Sequence, residues 1–448
     1  MDNPPGDCPC GELNVRFESV VTELGMQDKA GAIAADWDAA QQSRPCGEVP
    51  FLTESYVRWA CREAFLPEDV TAAAVAAAKR VTADEALSAF AWYCHDRLFR
   101  QTAQKAPVRQ WPDLLQALGR DAGMFYVLVL LSGTPQRQEI HRRRAIPADI
   151  IKDTVLDLKL CLEVEDFRRK HGHWGISLRI LDWLLFHWRG MLYRVGRLQF
   201  IHGPAHGKIR AYRQKETGLV VALSEAGVQF RGDGQADGTG NVFDTKSAWT
   251  STLTITEKEV TGYPLHPLGA AVQRELTLSR TEWMQELAPG NFVLDMHIAA
   301  GEPMTCDACG ESLRRAMEFY AKYFPDKPYV GFTCHSWILD HQFERLLPPT
   351  SNLVRFQKEV YLFPIRSGAS DPLETVFGFK PEDIRQAPRN TTMQRAFAEH
   401  IEKGGHFHGG GCFLLARDFN WGSRFYRSQK FPWSWFKPPL ADRGTLAG

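Results

Sequence analysis

The sequence predicts an α+β protein in which a helical N-terminal domain precedes a mixed α/β domain. Three observations carry that prediction. From about residue 52 to 200, apolar residues recur at helical spacing, with almost no strand-like alternation. Beyond residue 218, short alternating runs rich in Val, Thr and aromatic residues take over, with helical stretches between them. The chain has 448 residues, room for two or three domains at about 100–200 residues each.

Residues 1–50 carry Pro, Gly and several Asp, and read as a loosely ordered lead-in with one helix near 13–24. The Ala-rich stretch 70–81 favours helix. Ala86, Leu87, Phe90, Trp92, Tyr93 and Leu98 place a second helix over 84–99. Helices over 113–118, 124–131, 148–170 and 176–193 continue the pattern, with Pro147 where a helix would start. Residues 218–224 and 227–231 then read as two strands joined by Glu225-Ala226, followed by a Gly- and Asp-rich loop over 233–240. Strands are expected at 249–256, 291–298, 329–336, 360–365 and 412–416. Helices are expected at 306–323, 338–347 and 391–403. The Trp-, Phe-, Arg- and Pro-rich tail after Arg417 matches no element.

Composition narrows the function classes. Lys+Arg and Asp+Glu both number 53, so the net charge is zero and no basic nucleic-acid footprint is visible. Thirteen Trp and 27 Phe exclude a disordered chain. The apolar runs 124–131 and 183–188 fall short of the ~20 residues a membrane span needs, so both read as buried helix. The N-terminus lacks the basic and apolar regions of a secretory signal. Ten scattered Cys then imply reduced thiols in a cytoplasmic protein rather than a disulfide scaffold.

Two strands concentrate chemistry. In 291–298, Phe292, Leu294, Met296 and Ile298 point one way, and Val293, Asp295 and His297 the other. A covered face carrying Asp295 and His297 needs polar partners or a ligand. The segment Ala299, Ala300, Gly301 to Thr305 follows, with Thr305 a helix N-cap. A strand, a small-residue loop and a helix N-terminus form a possible anion site. In 329–336, Val330, Phe332, Cys334 and Ser336 share one face, and Gly331, Thr333 and His335 the other. Cys334 and His335 therefore point apart, and Ser336 serves either function or the cap of the next helix. Cys306 and Cys309 have CxxC spacing but no matching second pair, since Cys8-Pro-Cys10 is spaced wrongly for a zinc ribbon. The run Gly404-Gly-His-Phe-His-Gly-Gly-Gly411 reads as a glycine turn before a strand, although its two His could bind a metal or an anion. No metal cofactor is expected.

Several strings resemble one bacterial family, the GNAT-like acyltransferases with a helical N-acyltransferase N-terminal domain. They are Arg194-Val-Gly-Arg-Leu-Gln-Phe200, Gly232-Asp-Gly-Gln-Ala-Asp-Gly238 and Val260-Thr-Gly-Tyr-Pro-Leu-His-Pro-Leu-Gly269. Leu294-Asp-Met-His-Ile298 and Thr333-Cys-His-Ser-Trp-Ile-Leu-Asp340 follow. Leu346-Leu-Pro-Pro-Thr-Ser-Asn-Leu353 and Thr392-Met-Gln-Arg-Ala396 complete the set. The resemblance implies a lead-in over 1–50, a helical domain over 51–203, a GNAT-like domain over 204–416 and an unassigned tail over 417–448. It implies acyl transfer from acyl-CoA to a small-molecule or peptidyl amine. The loop residues Ala299, Ala300, Gly301 and Thr305 would hold the cofactor pyrophosphate. Asp295 or His297 would be the base, and Ser336, Cys334 or His335 the proton donor. The Arg/Gln-x-x-Gly-x-Gly/Ala loop of ordinary GNAT enzymes is absent, and 338–347 holds no Tyr. Two alternatives stand beside transfer: a GNAT-like binding module without catalysis, and a hydrolase using Cys334 or Ser336 with His297.

Overall fold

The computed structural model describes residues 15–101, 106–164, 168, 171–368 and 371–429. The chain divides into two compact units, 1–195 with 299–301, and 196–298 with 302–448.

The first unit is helical. Helices Glu54–Glu63, Glu68–Thr82, Glu85–His95 and Ala122–Leu131 surround one large core. In Glu68–Thr82 the acids Glu68 and Asp69 open the helix while Lys79 and Arg80 close it, as the helix dipole favours. The Asp84 carboxylate accepts from the Leu87 amide at 2.9 Å and caps Glu85–His95. From Ala86 onward every residue of that helix is buried, as is all of Ala122–Leu131. Phe90 stacks on Phe125 at 5.7 Å, and Trp37 on Tyr93 at 5.6 Å. Among the described residues no helix is long and apolar enough to cross a membrane.

One expected helix is broken and another ends early. The stretch from 148 divides into Ala148–Val155 and Asp157–Val164, and its end lies outside the described residues. The break brings the Asp157 carboxylate inward, 3.0 Å from both Trp183 Nε1 and His187 Nε2. The helix expected over 176–193 is Leu178–Trp188. Gly190, at φ +61°, takes the left-handed conformation that ends it, and Tyr193 lies on strand β1 (Leu192–Val195). The polar helix Thr134–Arg144 escaped the periodicity reading because it lacks a clear apolar stripe. Its Arg142 and Arg143 are exposed and paired with Glu139.

This core also holds two titrating groups. Burial, helped by Arg100, lowers the pKa of His95 to about 4. Burial, helped by Arg137, does the same to His141. In the unfolded chain both protonate near pH 6.5. Between about pH 6.5 and 4 the unfolded chain therefore binds protons that the folded chain refuses. Their contribution is complete above that window and lost as pH falls through it. Denaturant unfolding is expected to lose on the order of 1–2 kcal/mol per histidine between pH 7 and 5. A slope unchanged in the His95→Gln, His141→Gln double variant would refute the assignment.

The second unit is built on sheets. Strands β2 (Leu198–Pro204), β3 (Ile209–Gln214) and β4 (Val220–Ser224) come first. Short strands follow: β5 (Gln229–Phe230), β6 (Trp249–Thr250), β7 (Leu253–Ile255), β8 (Glu259–Gly262), β9 (Pro264–His266) and β10 (Ala270–Ala271). The rest are β11 (Leu276–Ser279), β12 (Trp283–Leu287), β13 (Phe292–His297), β14 (Gly331–Ser336), β15 (Tyr361–Pro364) and β16 (Gly410–Leu415). One sheet runs β2-β13-β14-β16-β15, and a second β10-β9-β4-β3-β12. The two strands joined by Glu225-Ala226 form, but they belong to different sheets. β4 pairs with β3 and β9, while β5 pairs with β6. The chain turns off after Ser224 because Ser251 captures it: Ser251 Oγ donates to Glu225 O, and Gly227 N to Ser251 O.

Helix Cys306–Tyr323 packs on the first sheet, with Tyr320 Oη donating to Phe200 O at 3.0 Å. The helix expected over 338–347 is two short pieces, Trp337–Leu339 and Phe343–Leu346. Asp340 interrupts it, because its carboxylate accepts from the amides of Gln342 and His408. Seven described cysteines are free, and Cys46 departs from the expected reduced state in being disulfide-bonded.

Candidate active site

The site grows out of one pair of strands. β13 and β14 run parallel, whereas β2/β13, β14/β16 and β16/β15 run antiparallel. The parallel ladder comprises Leu294↔Phe332 and Asp295↔Thr333. Beyond that point the strands part. Met296 and His297 stay paired to β2, and Cys334, His335 and Ser336 to β16. A gap opens at the carboxyl ends of parallel strands, where α/β sheets place their ligands.

Strand parity then sorts the side chains. Asp295 and His297 share a face, with His297 Nε2 3.1 Å from Asp295 Oδ2. Both side chains are about one-third exposed, although the His297 nitrogen that faces Asp295 is itself shut off from solvent. Thr333 Oγ1 donates to Asp295 Oδ1 at 3.0 Å from the neighbouring strand. His335 stands two residues beyond Thr333 on the same face, with its ring edge-on to Phe363 at 5.6 Å. Desolvation lowers its pKa, as do His206 and His297, and the nearby Asp295 opposes them. Gly411 lies opposite both His335 and Phe363 in register. A Cβ there would collide with the Phe363 ring, so glycine lets that ring lie against the sheet beside His335.

Other sequence candidates are placed elsewhere. Cys334 points to the opposite face, 2 % exposed and opposite Cys412 in register. Burial pushes its thiol far above the ordinary range. It is neither an available nucleophile nor a proton donor beside His297. Ser336 has the parity of Cys334, and its hydroxyl accepts from Ile338 N at 3.4 Å, capping the turn that follows. Thr305 caps its helix as expected, accepting from Ala308 N at 3.2 Å. Ala299, Ala300 and Gly301 follow Ile298 and group with the helical unit, and Gly301 has φ +122°. Cys306 and Cys309 are free and buried, and burial pushes Cys309 up to about 12.

The geometry gives a sheet face with a carboxylate, two imidazoles and a hydroxyl beside a strand gap. Residues 57–190 match the family described as N-acyltransferase N-terminal domain, and residues 192–414 match GNAT-like C-terminal domain. The chain belongs to the GNAT-like acyltransferase family.

Solved structures share the fold of this GNAT-like acyltransferase. An acyltransferase in complex with decanoyl-CoA and teicoplanin is 22% identical, with a TM-score of 0.61 over 90% of this chain and 99% of that one. An acyltransferase in complex with CoA and 10C-teicoplanin is 23% identical, with a TM-score of 0.60 over 90% and 99%. A mutant acyltransferase in complex with octanoyl-CoA is 22% identical, with a TM-score of 0.60 over 89% and 99%. Comparison with curated proteins gave no match.

Within this GNAT-like acyltransferase, sequence reasoning missed Thr333 as a site residue. The signal was present, since Thr333 shares parity with His335. What was missing was the pairing of β13 with β14, which sets it opposite Asp295.

Proposed function

We propose that this chain transfers an acyl group from an acyl-CoA thioester to the amine of a small molecule or peptide. The single observation that carries the reading is the chain of contacts Thr333–Asp295–His297 beside the gap between β13 and β14. An amine attacks a thioester only as its free base. His297 takes the ammonium proton, and Asp295, 3.1 Å away, orients the ring and stabilises the imidazolium that forms. Thr333 fixes Asp295. The amine nitrogen then bonds to the acyl carbonyl carbon, the carbon–sulfur bond breaks, and the acylated nitrogen sheds its second proton as the CoA thiolate leaves and is protonated. Of the three candidate donors to that thiolate, His335 shares the face of the base. The capped helix start at Thr305 is the candidate pyrophosphate seat. A cytoplasmic setting accompanies this donor, and the reaction needs no metal.

The test is a calorimetric titration with acetyl-CoA, octanoyl-CoA and decanoyl-CoA, followed by an amine panel. The longer donors are chosen because they occur in the structural neighbours. Binding near 1 μM, about −8 kcal/mol, is expected for at least one donor. Absence of binding to all three would refute the reading. Binding with no transfer to any amine would favour the second reading, a non-catalytic binding module. The absent glycine phosphate loop and the lack of Tyr in 338–347 speak for that alternative.

A further inference from the structure

The glycine-rich run 404–411 reaches the transfer face only at Gly411, and its earlier residues build a second cluster. A Cβ on Gly410 would collide with the Leu339 carbonyl. Glycine there lets the turn before β16 press against the turn after β14. That approach sets His408 over Asp340 and His341, residues 68 and 67 positions earlier in the chain.

The Asp340 carboxylate has no exposed area. Its Oδ2 accepts from His408 N at 2.7 Å and Gln342 Nε2 at 3.2 Å, and its Oδ1 from Gln342 N at 2.9 Å. Oδ1 also faces two imidazole nitrogens, His341 Nδ1 at 3.6 Å and His408 Nδ1 at 3.9 Å. These separations are too long for hydrogen bonds. Ligand atoms that share one tetrahedral ion through bonds of about 2.0–2.2 Å lie about 3.3–3.6 Å apart, a spacing that His341 meets and His408 reaches with a small turn of its ring. The two rings lie nearly parallel, 5.6 Å apart at 6°. One ligand atom from each of the three residues lies within 4.8 Å of the other two. Gln342 does not fill the gap. Its two amide protons already meet His406 O at 2.8 Å and Asp340 Oδ2, so the 3.3 Å approach of His408 Nδ1 finds none.

We propose that Asp340, His341 and His408 form a binding site for a divalent transition metal of zinc's coordination habit. Two imidazoles and one carboxylate select such an ion over magnesium or calcium, which want oxygen donors. Arg231 Nη2 donates to His408 Nε2 at 3.4 Å, and an ion on Nδ1 moves the ring proton to Nε2, so Arg231 must give up that contact and rest on Asp233, which holds and neutralises its guanidinium through Oδ1 at 3.2 Å and Oδ2 at 2.8 Å. The ion is a clasp rather than a reactant. It joins the two turns that flank the Ser336↔Gly410 end of the β14/β16 ladder, and the proposal is independent of the transfer chemistry.

The experiment strips metal from the full chain with a chelator, removes the chelator, and titrates zinc and then cobalt. The expected result is one ion per chain and a melting temperature raised by about 5 °C or more at 100-fold excess over Kd. The cobalt form should show d–d bands without the thiolate charge-transfer band that Cys306 and Cys309 would give. His341→Ala should weaken binding at least about 10-fold, and Cys306→Ser should leave it unchanged. No uptake by the unmodified chain, a thiolate band, or undiminished binding in His341→Ala would each overturn the site. The first two readouts use the native sequence and do not depend on a variant folding.

Discussion

His297→Ala is expected to lower acyl transfer at saturating acyl-CoA by about 100- to 10,000-fold, the usual worth of a positioned general base. The loss should fall on kcat while calorimetric affinity for acyl-CoA stays within about 2-fold, because the base acts on the amine and not on the thioester. His297 is about one-third exposed at the end of β13, so alanine leaves the Leu294 and Met296 core intact and thermal unfolding should barely move. Raising pH should partly rescue the variant, since more of the amine then arrives deprotonated. Full turnover in His297→Ala would move the base to Asp295 or His335. Thr333→Val supplies a graded control. It removes the 3.0 Å hydrogen bond to Asp295 while keeping shape, so a smaller loss with the same rescue marks a positioning role.

Arg213→Met is expected to be the most destabilising single change in the sheet unit. Arg213 Nη2 donates to both oxygens of Asp418 at 2.6 Å, Nε to Glu286 at 2.8 Å and Nη1 to Gly218 O at 2.8 Å. Tyr426 Oη extends the network, donating to Asp418 at 3.1 Å and accepting from Leu415 N at 2.9 Å. Burial raises the pKa of Asp418 despite the guanidinium beside it. The variant strands that carboxylate, which costs about 3–5 kcal/mol. Denaturant midpoints measure it, and a loss below about 1 kcal/mol would show that water reaches Asp418. Adding Asp418→Leu should recover much of the loss, because the second substitution removes the stranded charge.

The parts legible in the sequence are those whose determinants are local. Thr305 announced the helix Cys306–Tyr323, and the alternation in 291–298 and 329–336 gave the faces of Asp295, His297, Cys334 and His335 before any fold was known. The parts that were not legible depend on distant partners. Asp340 breaks its helix for the amide of His408, 68 residues on. Ser251 redirects the chain after Ser224 from 27 residues away. Thr333 earns its place beside Asp295 through a pairing 38 residues apart. The resemblance supplied the family and the reaction class. Parity removed Cys334 and Ser336 from the face of the base.

The parting of β13 from β14 has a consequence for how a ligand is gripped. Sheet edges are ordinarily peripheral, and proteins blunt them because an exposed backbone row recruits other chains. Here two such rows face each other inside a sheet, each secured on its outer side by β2 or β16. An intruding protein strand finds no lateral approach, whereas a slender molecule carrying its own amides can thread in as a missing strand does. The pantetheine arm of coenzyme A has that chemistry. Its recognition would then rest on main-chain groups, which side-chain substitution leaves in place, so sequences of this fold can drift far while the grip endures.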